Sequence, residues 1–311
     1  MHEELWAITA YFNPGRYSRR LENYREFRKR LRRDVPLVAV ECADNDAFQL
    51  CARDADILVQ VRGDTMWQKE RLLDLAMQRI PRSASAVAWL DCDIVFEDNG
   101  WPEKTLLGLR ECPVLQLFEG VAWLEKAVDL NQSSFRPSSA EWQSLALENS
   151  DGILTDSVCA AWRRQGSATP FGDGYAWAAR YDLIAAHGLY DANVIGGGAR
   201  TFALAAMNRI DSLLAIDWFT EKQRLHIERW ARPFAAKVTD VGHISGRIFH
   251  LWHGSIKNRQ YLWREERFRS FEFDPYGDIA LNDNGCWVWA SEKPDMHSWV
   301  KNYFHERRED G

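Results

Sequence analysis

The sequence predicts an α/β fold, a mostly parallel sheet with helices on both faces. Short apolar runs alternate with stretches of helical periodicity over the first hundred residues, the pattern of strands connected by crossover helices. The run Val87-Ala88-Trp89-Leu90-Asp91-Cys92-Asp93-Ile94-Val95-Phe96 reads as a strand buried on both faces of a sheet. Polar residues (Asn13, Glu41, Asp91, Asp93) fall at the ends of such runs, where ligands of open α/β sheets bind.

Each element has its own signal. Leu5 to Tyr11 is apolar and strand-like, and Asn13-Pro14-Gly15 breaks it. From Arg16 to Arg33, Tyr17, Leu21, Tyr24, Phe27 and Leu31 recur at helical spacing. Pro36–Cys42 and Ile57–Val61 are further strands, and Thr65–Arg79 a helix that Asp64 or Thr65 caps, with Met66, Leu73, Met77 and Ile80 inward. After the Asp-x-Asp run, Pro102–Cys112 reads as a helix with proline in its first turn, and Val114–Phe118 as a strand. Gly120 to Thr169 is less periodic and is expected to be an insertion or a mobile segment. Ala176–His187 is a strand running into a helix, and Ile195-Gly196-Gly197-Gly198-Ala199-Arg200 opens a helix through Asn208. Gly246 to Gly254 and a charged, aromatic tail complete the chain. With no repeat and no low-complexity linker, 1–311 is expected to be one domain, with lobes over 1–118 and 119–245 and a final segment over 246–311.

Composition narrows the function. A chain of 311 residues, 46% hydrophobic, buries roughly three quarters of its unfolded surface. Its net charge of −6 gives no global pull toward nucleic acid or an anionic membrane. The six cysteines form no Cys-x-x-Cys pair, which points to reduced thiols in a cytoplasmic protein. No run reaches the ~18 apolar residues of a membrane helix, no signal peptide is expected, and the protein is expected to be soluble. Fifteen tryptophans suit either a core or the aromatic platforms of a sugar cleft. A phosphate-cradling Gly-x-x-x-x-Gly-Lys-Ser/Thr, a strand-bound Gly-x-Gly-x-x-Gly, His-Glu-x-x-His and Gly-x-Ser-x-Gly are all absent.

Two carboxylates one residue apart at a buried strand end repel each other and are costly to desolvate. A divalent cation, Mg²⁺ or Mn²⁺, removes the difficulty and bridges carboxylates to substrate phosphates. Strand periodicity places Asp91 and Asp93 on one face.

In order along the chain, six short segments resemble the β-1,4-galactosyltransferase type of GT-A glycosyltransferase. These are Tyr11-Phe12-Asn13 with its following arginines, Trp67 to Asp74, Leu90-Asp91-Cys92-Asp93, Phe171-Gly172-Asp173-Gly174, Gly197-Gly198-Ala199-Arg200, and Gly246-Arg247 with His253 seven residues after the glycine. The resemblance implies a GT-A fold with a Rossmann-like sheet and inverting transfer of a sugar from a nucleoside-diphosphate donor, UDP-linked, to a hydroxyl. The acceptor stays open among a glycan, a small metabolite, a protein and a modified DNA base. Asp91, Asp93 and His253 are the implied metal ligands, with Asp91 alternatively on the ribose or a metal-bound water. His250, three residues from His253, is expected to share its strand face poorly. Lys69 with Arg16 or Arg20 would balance phosphate charge, and Glu41 would meet the base or ribose. Tyr11, Asn13, Gly172, Gly174, Gly197 and Gly198 would complete the donor site.

One position departs from the pattern. The family's general base falls at Ala199 or Arg200, and neither is an acid. Either Asp191 or Asp173 serves, or this is an acid-to-alanine variant at 199. The missing acid keeps open a non-catalytic nucleotide-sugar or glycan-binding protein. A nucleotidyltransferase shares the sheet and acidic pair, but the glycine-rich triphosphate loop it needs is not seen.

Overall fold

The computed structural model describes residues 3–126, 128, 141–155, 158–159, 171–261 and 263–311. Its central sheet has the order β11-β6-β10-β4-β1-β2-β3. The strands are β1 (Leu5–Phe12), β2 (Leu37–Ala43), β3 (Ile57–Arg62), β4 (Ala86–Leu90), β6 (Val114–Gln116), β10 (Ala176–Arg180) and β11 (Val241–His243). Only β10 runs against its neighbours β4 and β6; the other pairs are parallel. This is the expected α/β class.

Both faces of the sheet are buried, and strand alternation divides the core in two. On one side lie Ile8, Ala10, Val38, Val40, Val87 and Trp89, packed under α2 (Lys69–Met77), α6 (Gly198–Ala206), α8 (Glu221–Ala235) and α10 (Pro294–Glu306). On the other lie Ala7, Tyr11, Leu37, Ala39, Ala86 and Ala88, under α1 (Ser18–Arg30) and α3 (Trp101–Glu111). Side chains alternating at a period of two let one apolar strand feed two cores.

The run through Asp91 and Asp93 is not one strand. It leaves the central sheet after Leu90 and re-enters a second one as β5 (Ile94–Phe96). That second sheet has the order β5-β12-β7-β8-β9, from β12 (Arg247–His250), β7 (Gly120–Trp123), β8 (Glu141–Ser144) and β9 (Phe171–Gly172). The amide of Asp91 donates to the Tyr175 carbonyl at 2.7 Å, and that of Leu251 to the Asp93 carbonyl at 2.8 Å. The two acids therefore sit in a turn between sheets, not on one strand face.

The helix expected from Thr65 begins at Lys69, and neither Asp64 nor Thr65 caps it. Asp64 instead accepts at 2.8 Å from the amide of Trp289 in β14 (Trp287–Trp289), which pairs with β13 (Ile279–Leu281). Between 120 and 169, β7, β8 and α4 (Leu145–Ser150) are ordered elements; most of the polar run around 131–141 lies outside the described residues. The strand at Ala176 continues, as expected, into α5 (Tyr181–His187). The short helices α7 (Ile210–Leu214) and α9 (Arg264–Arg269) complete the layers. Among the described residues no helix is long and apolar enough to cross a membrane.

Candidate metal centre and cleft

The carboxyl ends of β1 and β4 open into a cleft of about 1350 Å³, its open mouth included. Among the segments that converge there are the 91–93 turn, the start of α1, the start of α2, and the turn after β12. Asp93 Oδ2 lies 3.1 Å from His253 Nε2, and Asp93 Oδ1 lies 3.6 Å from His250 Nε2. The two Nε2 atoms are 3.2 Å apart. All three side chains are buried, and their ligand atoms fall within 4.8 Å of one another.

Burial alone would raise the Asp93 carboxyl; His253 and Arg20 hold it well below the usual range instead. Burial pushes the His250 imidazole well below its ordinary value, leaving a neutral lone-pair donor. Two imidazole nitrogens facing each other across a carboxylate form a cation-binding donor set. Two nitrogens and one oxygen suit Mn²⁺ better than Mg²⁺, which demands hard oxygen ligands.

His250 joins this cluster although strand spacing argued against it. β12 ends at His250 and the chain turns back through Gly254 at φ +87°, so His253 need not share a strand face. Arg259 lies against both ring nitrogens of His253, the Nε2 that faces Asp93 included, and Glu309 Oε1 is 3.7 Å from Nδ1. Glu309 is buried and also paired with Arg307 at 2.6 Å and Arg20 at 3.4 Å. Burial would raise its carboxyl, but Arg307, Arg20 and His253 hold it well below its usual value. No spacing in the sequence pointed to Glu309, because only tertiary packing brings it to the site.

The remaining expected residues divide into groups. Arg20, Lys69, Asp91, Asp173, Gly174, Gly197 and Ala199 line the cleft together with Asp93 and His253. Asp91 is not part of the histidine cluster: it is ion-paired with Lys69. Burial opposes the Lys69 ammonium, but the carboxylates of Asp91 and Glu70 raise its pKa and keep it charged. Asp173 receives Arg200 Nε at 3.2 Å.

A second cavity holds Asn13, Arg16 and Glu41, and meets the cleft at Phe12. Glu41 is tied down by the amides of Gln49 at 2.6 Å and Leu50 at 3.1 Å and by Gln60 at 2.9 Å. Tyr11 is buried behind it, its hydroxyl donating to Gln49 at 3.0 Å. Gly172 is buried, with its carbonyl accepting from Gln116 at 2.6 Å.

Asp191 lies off the cleft. Arg71 reaches its carboxylate at 3.1 Å, and Trp287 donates to its carbonyl at 3.1 Å. The glycine triplet has two physical causes. Gly196 and Gly197 sit at φ +104° and +93°, where a side chain is strained. A Cβ on Gly198 would fall 2.2 Å from Glu70.

Charge in the cleft is inverted relative to the whole chain. Among the described residues six Lys and Arg side chains line it against four Asp and Glu, while the protein carries −6. Trp123, Trp142, Phe171, Tyr175 and Trp218 give the cleft an aromatic wall as well, with the Arg259 guanidinium 5.6 Å from the Trp123 ring centre.

No family model and no curated protein matches this chain. Among solved structures it is similar to glucosyl-3-phosphoglycerate synthase from Mycobacterium tuberculosis in complex with Mn²⁺, UDP-glucose and phosphoglyceric acid. That likeness has 13% identity, covers 87% of this chain and 79% of the other, and has a TM-score of 0.40. The catalytic domain of Drosophila beta1,4-galactosyltransferase 7 with xylobiose is similar at 8% identity over 96% of this chain and 99% of the other, TM-score 0.39. S. aureus TarS with UDP-GlcNAc follows at 10% identity, 88% and 74% coverage and TM-score 0.36. These likenesses are distant, and the functional reading rests on the geometry of the site.

Proposed function

We propose that the chain is a metal-dependent glycosyltransferase that takes a sugar from a nucleoside diphosphate, UDP among them, and passes it to a hydroxyl with inversion. The observation that carries this reading is the convergence of Asp93, His250 and His253 in a cation-rich cleft at the carboxyl edge of the sheet. Asp93, His250 and His253 would hold Mn²⁺, which when bound supplies positive charge opposite a leaving diphosphate. Arg20, Lys69, Arg259 and Arg307 line the same cleft; they balance the phosphate charge that remains. Asn13, Arg16 and Glu41 frame the adjoining cavity for the nucleoside. The aromatic wall offers flat apolar surface to an acceptor ring, which a glycan, a ring-bearing metabolite and a modified DNA base all have.

A second reading, a nucleotide-sugar-binding protein without transfer, is favoured by Ala199, where no acid stands. Thermal denaturation with UDP, UDP-glucose and UDP-galactose, each with and without Mn²⁺, tests the shared premise. Nucleotide and Mn²⁺ together are expected to stabilise the fold, by roughly 2.7 kcal/mol at a hundredfold excess over Kd. No shift with any pair would contradict it. Release of UDP then separates transferase from binder.

A further inference from the structure

The acid missing at 199 has a counterpart within reach of the same spot. Glu70, the second residue of α2, points its carboxylate at the first residue of α6. A Cβ on Gly198 would lie 2.3 Å from Glu70 Oε1, so glycine at 198 leaves the room this carboxylate occupies. Trp67 Nε1 donates to Oε2 at 3.0 Å and fixes its orientation.

The small cavity that Glu70 lines shares Lys69, Gly174, Tyr175 and Ala199 with the main cleft. Alanine at 199, on the wall common to the two cavities, adds only a methyl there. A Cβ on Gly174 would be 3.6 Å from Ala199 Cβ and 4.0 Å from Asp91 Oδ2. The carboxylate thus lies beside Gly198, one residue before the position where an acid at 199 would stand.

We propose that Glu70 is the proton acceptor for the incoming hydroxyl, supplied from α2 in place of an acid on α6. This rests on the glycosyltransferase reading. As the acceptor oxygen bonds to the anomeric carbon, its proton passes to Glu70. The bond from that carbon to the diphosphate breaks, and the electron pair leaves with the nucleoside diphosphate. Burial pushes the Glu70 carboxyl up to about 7, against the pull of Lys69 and Trp67 and with the push of Asp91. Glu70 in turn adds to the upward push on Asp74, four residues further along α2. A base titrating near neutral pH is both ionised and basic enough to accept a proton.

The test follows release of UDP from UDP-glucose and UDP-galactose with Mn²⁺, water serving as acceptor, from pH 5 to 9. Wild-type turnover is expected to climb through about pH 7. Glu70→Gln is expected to lose that rise and at least tenfold in kcat, with KM and Mn²⁺-dependent nucleotide binding kept. Glu70→Ala is expected to regain turnover with added formate, and Ala199→Asp to restore it in the Glu70→Gln background. Turnover within twofold of wild type and an unchanged pH profile in Glu70→Gln would overturn the assignment, as would a folded Glu70→Ala indifferent to formate. Wild-type protein that binds nucleotide with Mn²⁺ but releases no UDP at any pH also overturns it, and leaves nucleotide-sugar binding standing. Absence of Mn²⁺-dependent nucleotide binding instead overturns the reading beneath it.

Discussion

Asp74 shows how one buried acid shapes stability. Its carboxylate accepts from the Leu189 amide at 2.9 Å, and burial, reinforced by Asp191, pushes its pKa up to about 8. A folded-state pKa above the unfolded value of roughly 4 means the native state binds the proton more tightly. The stabilisation is complete below pH ~4 and is lost as pH rises toward 8. Asp74→Asn, which keeps the acceptor oxygen, is therefore expected to flatten the fall in melting temperature between pH 5 and pH 8; an unchanged slope would contradict it. At Gly198, alanine drives a methyl into Glu70 at 2.2 Å. Overpacking of this kind costs roughly 1–3 kcal/mol, readable as a lower denaturant midpoint. His253 was legible because seven residues separate it from Gly246, whereas His250 was undervalued because strand periodicity was applied past the end of the strand. Removing either imidazole is expected to weaken Mn²⁺ binding at least ~10-fold by calorimetry, since each supplies one of three donor atoms; retained affinity in both variants would exclude them as ligands.

The helix α1 begins without a cap of its own: Tyr17 precedes it and makes no side-chain cap bond. Asp310 performs that role from the far end of the chain, accepting from the amides of Arg19 at 2.8 Å and Ser18 at 3.2 Å. A carboxylate at a helix start satisfies orphan amides and meets the positive end of the helix dipole. Asp310→Ala is expected to cost about 1 kcal/mol. Because α1 carries Arg20 beside Asp93 and Glu309 at 3.8 and 3.4 Å, the same change should weaken nucleotide binding; unaltered stability and binding would show the contact to be idle. The elements themselves were largely readable. Both-face burial of β1, β2 and β4 shows as nearly continuous apolar runs, interrupted by Thr9 in β1 and Glu41 in β2, and Pro102 marks the first turn of α3. The split of the 87–96 run was not readable, because β4 and β5 are equally apolar and the change of sheet depends on partners at Tyr175 and Leu251. β6 shows as the apolar run after Cys112, whereas the 3-residue β11 carries too few residues for a period to show.

At the scale of the whole molecule, chain-wide charge hides the site. A total of −6 coexists with a cleft in which cations outnumber carboxylates, because distant segments contribute them: Arg20 from α1, Lys69 from α2, Arg200 from α6, Arg259 from the turn after β12, Arg264 from the start of α9, and Arg307 from beyond α10. Glu309 and Glu70 escaped the sequence reading for the same reason, each taking its meaning from a partner far away in the chain. The centre at Asp93, His250 and His253 is what joins these parts into one mechanism. Anomalous diffraction at the manganese edge, from crystals grown with Mn²⁺ and UDP, tests it most directly. The account predicts a peak within bonding distance of Asp93, His250 Nε2 and His253 Nε2; a map with no peak there, or a metal held by Asp91 with both imidazoles turned away, would contradict it.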